Sequence, residues 1–160
     1  MDCRHVQFCD RRNRVDLVQL QRLLHRYAFW ARERSIDDLA LALENSDPVV
    51  SIWDGDRLVG CARATSDCVY RAAIWDVVIH PDYRGEGLGS KLVETVLAHP
   101  RVSRVERVYL MTTNQETFYR RIGFQANSST TMVLHNQETC APLPELAELS
   151  EYSALADVNR

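Results

Sequence analysis

The sequence predicts an α/β fold in which a mixed sheet carries helices on both faces. Three observations predict it. Apolar residues first recur at helical spacing, three strand-like segments then follow one another in the middle of the chain, and strands and helices alternate after residue 80. At 160 residues, 46% hydrophobic and 26% charged, the chain suits one domain that buries a core without a disulfide or metal staple.

Residues 4–9 alternate weakly and form a first strand. Asn13 is placed to cap a helix with Leu17, Leu20, Leu24, Ala28 and Ala31 on its apolar stripe. Ser35 and Asp38 resemble a capping box that opens a second helix, which Asn45 and Pro48 end. Residues 49–53 and 58–64 are strands joined by the turn Asp54-Gly55-Asp56, and residues 70–79 form a longer apolar strand interrupted by Asp76. A helix with Leu88, Leu92, Val93, Val96 and Leu97 on one face follows and stops at His99-Pro100. Residues 105–111 are a strand. Thr113 and Glu116 have capping-box spacing for a short helix ending at Gly123, and residues 130–135 are a last strand. The segment 136–160, with Pro142, Pro144 and apolar Leu146, Leu149 and Leu155, is read as an acidic extension, either a docked helix or a loose tail.

The net charge of −3 is uneven. Five of the 22 acidic residues lie beyond residue 135, where Arg160 is the only base, so the body is close to neutral. It lacks the basic stripe that nucleic-acid binding needs. No apolar run approaches the ~20 residues that span a bilayer, and Met1 is followed by Asp2, Cys3, Arg4 and His5 in place of a secretory h-region, so the expectation is a cytoplasmic protein with no membrane partner. The five cysteines are irregularly spaced with no C-x-x-C, which signals free thiols and no metal site.

The stretch Arg84-Gly85-Glu86-Gly87-Leu88-Gly89-Ser90 follows a strand and opens a helix. Its glycines leave backbone N–H groups uncrowded at the positive end of the helix dipole, which makes an anion site. The spacing is neither the dinucleotide G-x-G-x-x-G nor a Walker loop, which needs Gly-Lys-Ser/Thr. A pyrophosphate suits such a loop; a structural glycine turn without ligand is the alternative.

Arg84-x-x-Gly87-x-Gly89 matches the R/Q-x-x-G-x-G/A signature of the GNAT superfamily of acyl-CoA N-acyltransferases, which the chain resembles. Val77-Val78-Ile79-His80-Pro81-Asp82-Tyr83 resembles that family's fourth strand, and Phe118-Tyr119-Arg120-Arg121-Ile122-Gly123-Phe124 its F-Y-x-x-x-G-F motif. The matching motifs span residues 57–135. Residues 62–67, 74–78 and 30–46 are most similar to the plant-plastid and cyanobacterial branch, whose members are described as serotonin, arylalkylamine or protein acetyltransferases. The resemblance implies a mostly antiparallel sheet of about six to seven strands, splayed between the fourth and fifth, in a domain of residues 1–135. It implies acetyl-CoA as cosubstrate and no metal. The amides of Gly85, Glu86, Gly87, Leu88, Gly89 and Ser90, with Arg84, would hold the pyrophosphate; Val77, Val78 and Ile79 would bond the pantetheine arm, and Asn114 would lie against it. A homodimer is a habit of the family.

Acetyl transfer to an amine needs a neutral nucleophile, donors for the oxyanion and a proton for the leaving thiolate. An alkyl ammonium titrates near pH ~10, so something must accept its proton. Tyr119 matches the family's general acid; packing beside Phe118 is its other reading. Asp76, alone in an apolar strand, is either a base with a raised pKa or the partner of Arg63 or Arg71. His80 is either a base or a surface histidine. Asp67, Trp30, Trp53, Tyr70 and Trp75 are candidates to line an acceptor pocket or simply to fill a turn and the core. The expected acceptor is a small, aromatic primary amine. Protein lysine or N-terminal acetylation, and acyl-CoA sensing without turnover, are the alternatives.

Overall fold

A computed structural model of the chain describes residues 5–135. The chain divides into two units, one ending at Gln125 and the other beginning at Ala126. The expectations for the acidic extension 136–160 lie outside the described residues, as does the start of the first strand at Arg4.

The first unit contains β1 (Gln7–Cys9), α1 (Leu17–Tyr27), α2 (Ile36–Glu44), β2 (Val49–Asp54), β3 (Arg57–Ser66), β4 (Arg71–Ile79), α3 (Leu88–Ala98), β5 (Arg107–Tyr109) and α4 (Glu116–Ile122). The five strands form one sheet in chain order, antiparallel from β1 to β4 and parallel between β4 and β5. The sheet is therefore mixed and mostly antiparallel as expected, with five strands in place of six or seven. The missing strand is residues 130–135, which have no helix or strand and expose Met132, Val133 and Leu134. The run Thr130-Thr131-Met132-Val133-Leu134 has a strand's composition, but without a ladder partner among the described residues it buries nothing.

Side-chain alternation along β2–β4 gives the sheet two apolar faces. Val50, Ile52, Val59, Ala62 and Ile74 meet the stripe Leu92, Val93 and Val96 of α3 on one face. Val49, Cys61 and Val78 meet Leu20, Leu24, Leu39 and Leu43 of α1 and α2 on the other. Burial on both sides is why β4 reads as a nearly continuous apolar run. Gly60 lets β3 and its neighbours close up: a Cβ there would stand 2.8 Å from Ile79 Cδ1 and 3.0 Å from Ile52 Cδ1.

Two caps differ from expectation. Residues 12–14 form a 3-10 turn, so α1 is capped not by Asn13 but by Asp16, whose side chain accepts from Gln19 N–H. At α4, Thr112 Oγ1 takes Gln115 N–H, and Glu116 is spent on an i,i+4 ion pair with Arg120, so the Thr113–Glu116 box does not form. At α2 half of the box forms: Ser35 Oγ accepts Asp38 N–H at 3.0 Å, and the Asp38 carboxylate takes the Ser35 hydroxyl at 2.6 Å in place of the Ser35 N–H.

Candidate active site

The sheet opens between β4 and β5. Their pairing covers only Arg71↔Arg107, Ala72↔Val108 and Ala73↔Tyr109, so β4 from Ile74 to Ile79 has no strand on that side. At the same point β4 carries a bulge: Trp75 pairs with Arg63 and Val78 with Cys61, which sets Asp76 and Val77 against Ala62 alone. Asp76 has φ +55°. The resulting fork leaves the backbone of Val77, Val78 and Ile79 along an open edge, where an extended polar ligand would find backbone groups unpaired by a strand. Their side chains are core: Val78 lies against α1 and α2, while Val77 and Ile79 join the cluster under α3.

Above the fork the chain turns into α3. Buried Tyr83, whose hydroxyl donates to the Asp54 carboxylate, anchors the loop, and Arg84 Nε donates to Ile79 O at 3.0 Å. Arg84 thus braces the loop to the end of β4. Gly85 (φ +87°) and Gly87 (φ +78°) adopt the left-handed conformation, with no atom within 4 Å of where a Cβ would stand on either. The first intrahelical bond is Lys91 N–H to Gly87 O, so the N–H groups of Leu88, Gly89 and Ser90 have no helical acceptors. Leu88 is buried, which fixes the first turn, while Glu86 is exposed. This open, side-chain-free cradle at a helix N-terminus fits a pyrophosphate.

Tyr119 lies on α4, whose C-terminus explains the motif around it. Gly123 (φ +110°) bonds back to Arg120 O and Phe124 N–H to Tyr119 O, the two bonds of a Schellman turn. That turn folds Phe124 onto Tyr119, rings edge to face at 5.9 Å, while Phe118 packs on its other side at 4.9 Å. Phe118 also reaches 3.4 Å from the Cβ position of Gly89, seating α4 on the start of α3. The Tyr119 hydroxyl has no hydrogen-bond partner among the described residues and is not sealed in. Burial of the ring raises its pKa above that of an ordinary phenol, which is itself protonated at neutral pH.

Asp76 does not provide a raised-pKa base. Burial pushes its carboxyl up, but hydrogen bonds from Arg34 (2.6 Å) and Arg63 (2.7 Å) outweigh that and hold it below the usual range. Arg71 pairs instead with Glu106. His80 is not a free surface group: its Nε2 lies 2.7 Å from Arg57 and 3.0 Å from the Tyr27 hydroxyl, and desolvation and Arg57 lower its pKa. Both residues contact the α1–α2 side of the sheet, His80 through Tyr27 of α1 and Asp76 through Trp30 and Arg34 of the segment that joins α1 to α2. Asn114 is exposed in the turn ahead of α4. Asp67 accepts N–H bonds from Val69, Tyr70 and Arg71 and is a turn residue. Trp53 and Trp75 bond Ser51 and Thr65, Tyr70 is exposed, and Trp30 donates to Asp76 at 3.3 Å. Arg34 was invisible to the sequence reading, since only folding brings it across 42 positions to Asp76.

A mixed sheet forked under a glycine cradle, with a tyrosine hydroxyl unengaged nearby, defines an α/β domain of the acyl-transferring class. Residues 17–124 match the model of the acetyltransferase (GNAT) family, and the chain belongs to that family. It is 44% identical over 100 residues to an uncharacterized N-acetyltransferase of Prochlorococcus marinus, covering 60% of this chain and 54% of that protein. It is 37% identical over 125 residues to the histone acetyltransferase TAP1 of Glycine max (71% and 53% covered). It is 34% identical over 118 residues to the chloroplastic serotonin N-acetyltransferase 2 of Oryza sativa subsp. japonica (69% and 56%). The chain thus spans about half the length of these curated relatives. A solved acetyltransferase of the same family from Xanthomonas campestris pv. campestris superposes with a TM-score of 0.74 at 26% identity, covering 81% of this chain and 94% of that one. No helix among the described residues is long and apolar enough to cross a membrane, and they contain no group of side chains suited to a metal.

Proposed function

We propose that the chain transfers the acetyl group of acetyl-CoA to a primary amine, in the first instance a small arylalkyl amine such as serotonin. The observation that carries the reading is the conjunction of the open β4 edge, the cradle at Gly85 and Gly87, and the unengaged hydroxyl of Tyr119. When bound, acetyl-CoA supplies an activated thioester carbonyl. The cradle, with the amides of residues 85–90, holds its pyrophosphate, and the backbone of Val77, Val78 and Ile79 bonds its pantetheine arm and meets the developing oxyanion. Tyr119 gives its proton to the sulfur as the C–S bond breaks, while the new C–N bond forms from the free amine. With Asp76 and His80 both engaged in bracing, the amine's proton leaves to solvent. The rate then rises with pH along the amine's own titration.

The exposed aromatic pair Phe29 and Trp30 beside Asp76, and the name of the rice relative, support an aromatic acceptor. The name of the soybean relative supports protein lysine as a second reading. A thiol-release assay with acetyl-CoA against arylalkylamines, polyamines and lysine peptides tests both. Turnover of tryptamine above the peptides is expected; peptides alone would favour the second reading, and binding of acetyl-CoA without any turnover would leave only a sensor.

A further inference from the structure

Asp76 is the one residue of β4 with a left-handed backbone, a conformation that costs an L-residue and persists where the surroundings hold it. What holds it is its carboxylate, only 9% exposed, which takes Arg34 and Arg63 on Oδ2 and the Trp30 indole N–H on Oδ1. Arg63 continues to the Oγ of buried Ser46, so the carboxylate is fixed from the core side as well. Trp30 and Arg34 both belong to the connector between α1 and α2, and these contacts pin that connector to the bulge at the mouth of the fork. Trp30 nonetheless remains 49% exposed, edge to face with Phe29 at 5.1 Å. An indole tied by its N–H and still half exposed is a rigid contact surface that loses little freedom when a ligand covers it.

Resting on the acetyltransferase reading above, we propose that Asp76 is a positioning residue that fixes the connector against the fork, and that Trp30 thereby sets acceptor specificity by meeting the aromatic part of the amine. A stabilising ion pair alone would change the melting temperature and leave substrate discrimination untouched. Steady-state kinetics with tryptamine, n-butylamine and acetyl-CoA on Trp30→Ala, Arg34→Gln and Asp76→Asn separate these roles. The expected result is a tryptamine KM raised about tenfold in Trp30→Ala and several-fold in the other two, KM for acetyl-CoA within about twofold of wild type, and a reduced preference for tryptamine over butylamine. Amide exchange at residues 29–34 should quicken in Arg34→Gln and Asp76→Asn while α3 stays protected. Should Asp76→Asn not fold, the two connector variants carry the test, since Trp30 and Arg34 are partly exposed. Unchanged tryptamine KM, equal shifts in both KM values, or unchanged exchange would overturn the inference. A wild type that acetylates no amine would instead overturn the proposed function, and the exchange result would still judge the clamp.

Discussion

Gly87→Ala tests the cradle, with Gly55→Ala as a matched control. Both glycines have positive φ (+78° and +56°), and neither has an atom within 4 Å of the Cβ position, so a methyl group clashes with nothing in the protein. The cost to the fold is then backbone only, about 1–2 kcal/mol for an L-residue in the left-handed region, partly offset by the lower entropy of the unfolded chain. A net loss near 1 kcal/mol corresponds to about 2–4 °C in Tm at this size, and it should be the same for both variants. Binding should part them. Gly55 lies in the turn between β2 and β3, whereas a Cβ on Gly87 occupies the space in which the helix amides meet a phosphate. A hydrogen bond to a charged group contributes roughly 1.5–3 kcal/mol, so displacing one phosphate oxygen weakens acetyl-CoA roughly 10–150-fold. Calorimetric titration reads this directly. If Gly87→Ala binds acetyl-CoA as Gly55→Ala does, the pyrophosphate does not sit in this loop.

Tyr119→Phe should lower kcat by roughly 10²–10⁴-fold with KM for acetyl-CoA nearly unchanged; its Tm should also hold, because the hydroxyl bonds nothing among the described residues. Stability should fall on the acid side in two stages, followed by urea midpoints from pH 8 to 3. His80, lowered from 6.5, contributes fully above that value and is lost as pH falls through its folded pKa; Asp76, lowered from 3.8, is lost only below about pH 4. Asp76→Asn should shrink the second stage, to which Asp16, Asp54 and Asp67, lowered by their own hydrogen bonds, still contribute, and, by leaving two guanidinium groups half-buried without their partner, cost about 3–5 kcal/mol at neutral pH. Leu92→Ala, fully buried between α3 and the sheet, should cost about 2–5 kcal/mol by the same denaturation assay while leaving KM for acetyl-CoA in place.

Much of the fold was legible because local patterns carry it. Leu88, Leu92, Val93 and Val96 mark one helix face whatever it packs on, and the glycines at 85 and 87 announce the turn that their positive φ then makes. The failures occur where two local solutions compete. Asn13 and Asp16 can each cap α1, and the 3-10 turn that takes up Asn13 decides for Asp16. Residues 130–135 have a strand's composition, but composition does not specify a partner. At the site, Asp76 was conspicuous as the charge inside an apolar run, and Arg63, opposite Trp75 in the neighbouring strand, was within reach of a sequence argument. Arg34 and Trp30 were not, because no short-range periodicity links a helix connector to a strand more than 40 positions away.

The sequence posed packing and acid catalysis as rival roles for Tyr119; in the mechanism proposed above, the packing is what makes the acid role feasible. A helix of seven residues has little stability of its own, so α4 stands by what it packs against. Phe118 supplies that contact at the start of α3, and the left-handed Gly123 turns Phe124 back so that Tyr119 is flanked by two rings. This is why the tyrosine, the glycine and the second phenylalanine need their spacing: the outer bond of a Schellman turn joins positions five apart, Phe124 to Tyr119, with the left-handed glycine just before the second of them. Aromatic edges can fix the direction of a phenol without a polar tie. A hydrogen bond from the hydroxyl to a carbonyl would hold the ring equally well, but would engage the proton that the chemistry requires. Packing by rings leaves that proton free of any partner, and in the mechanism proposed above it is this proton that the leaving thiolate takes.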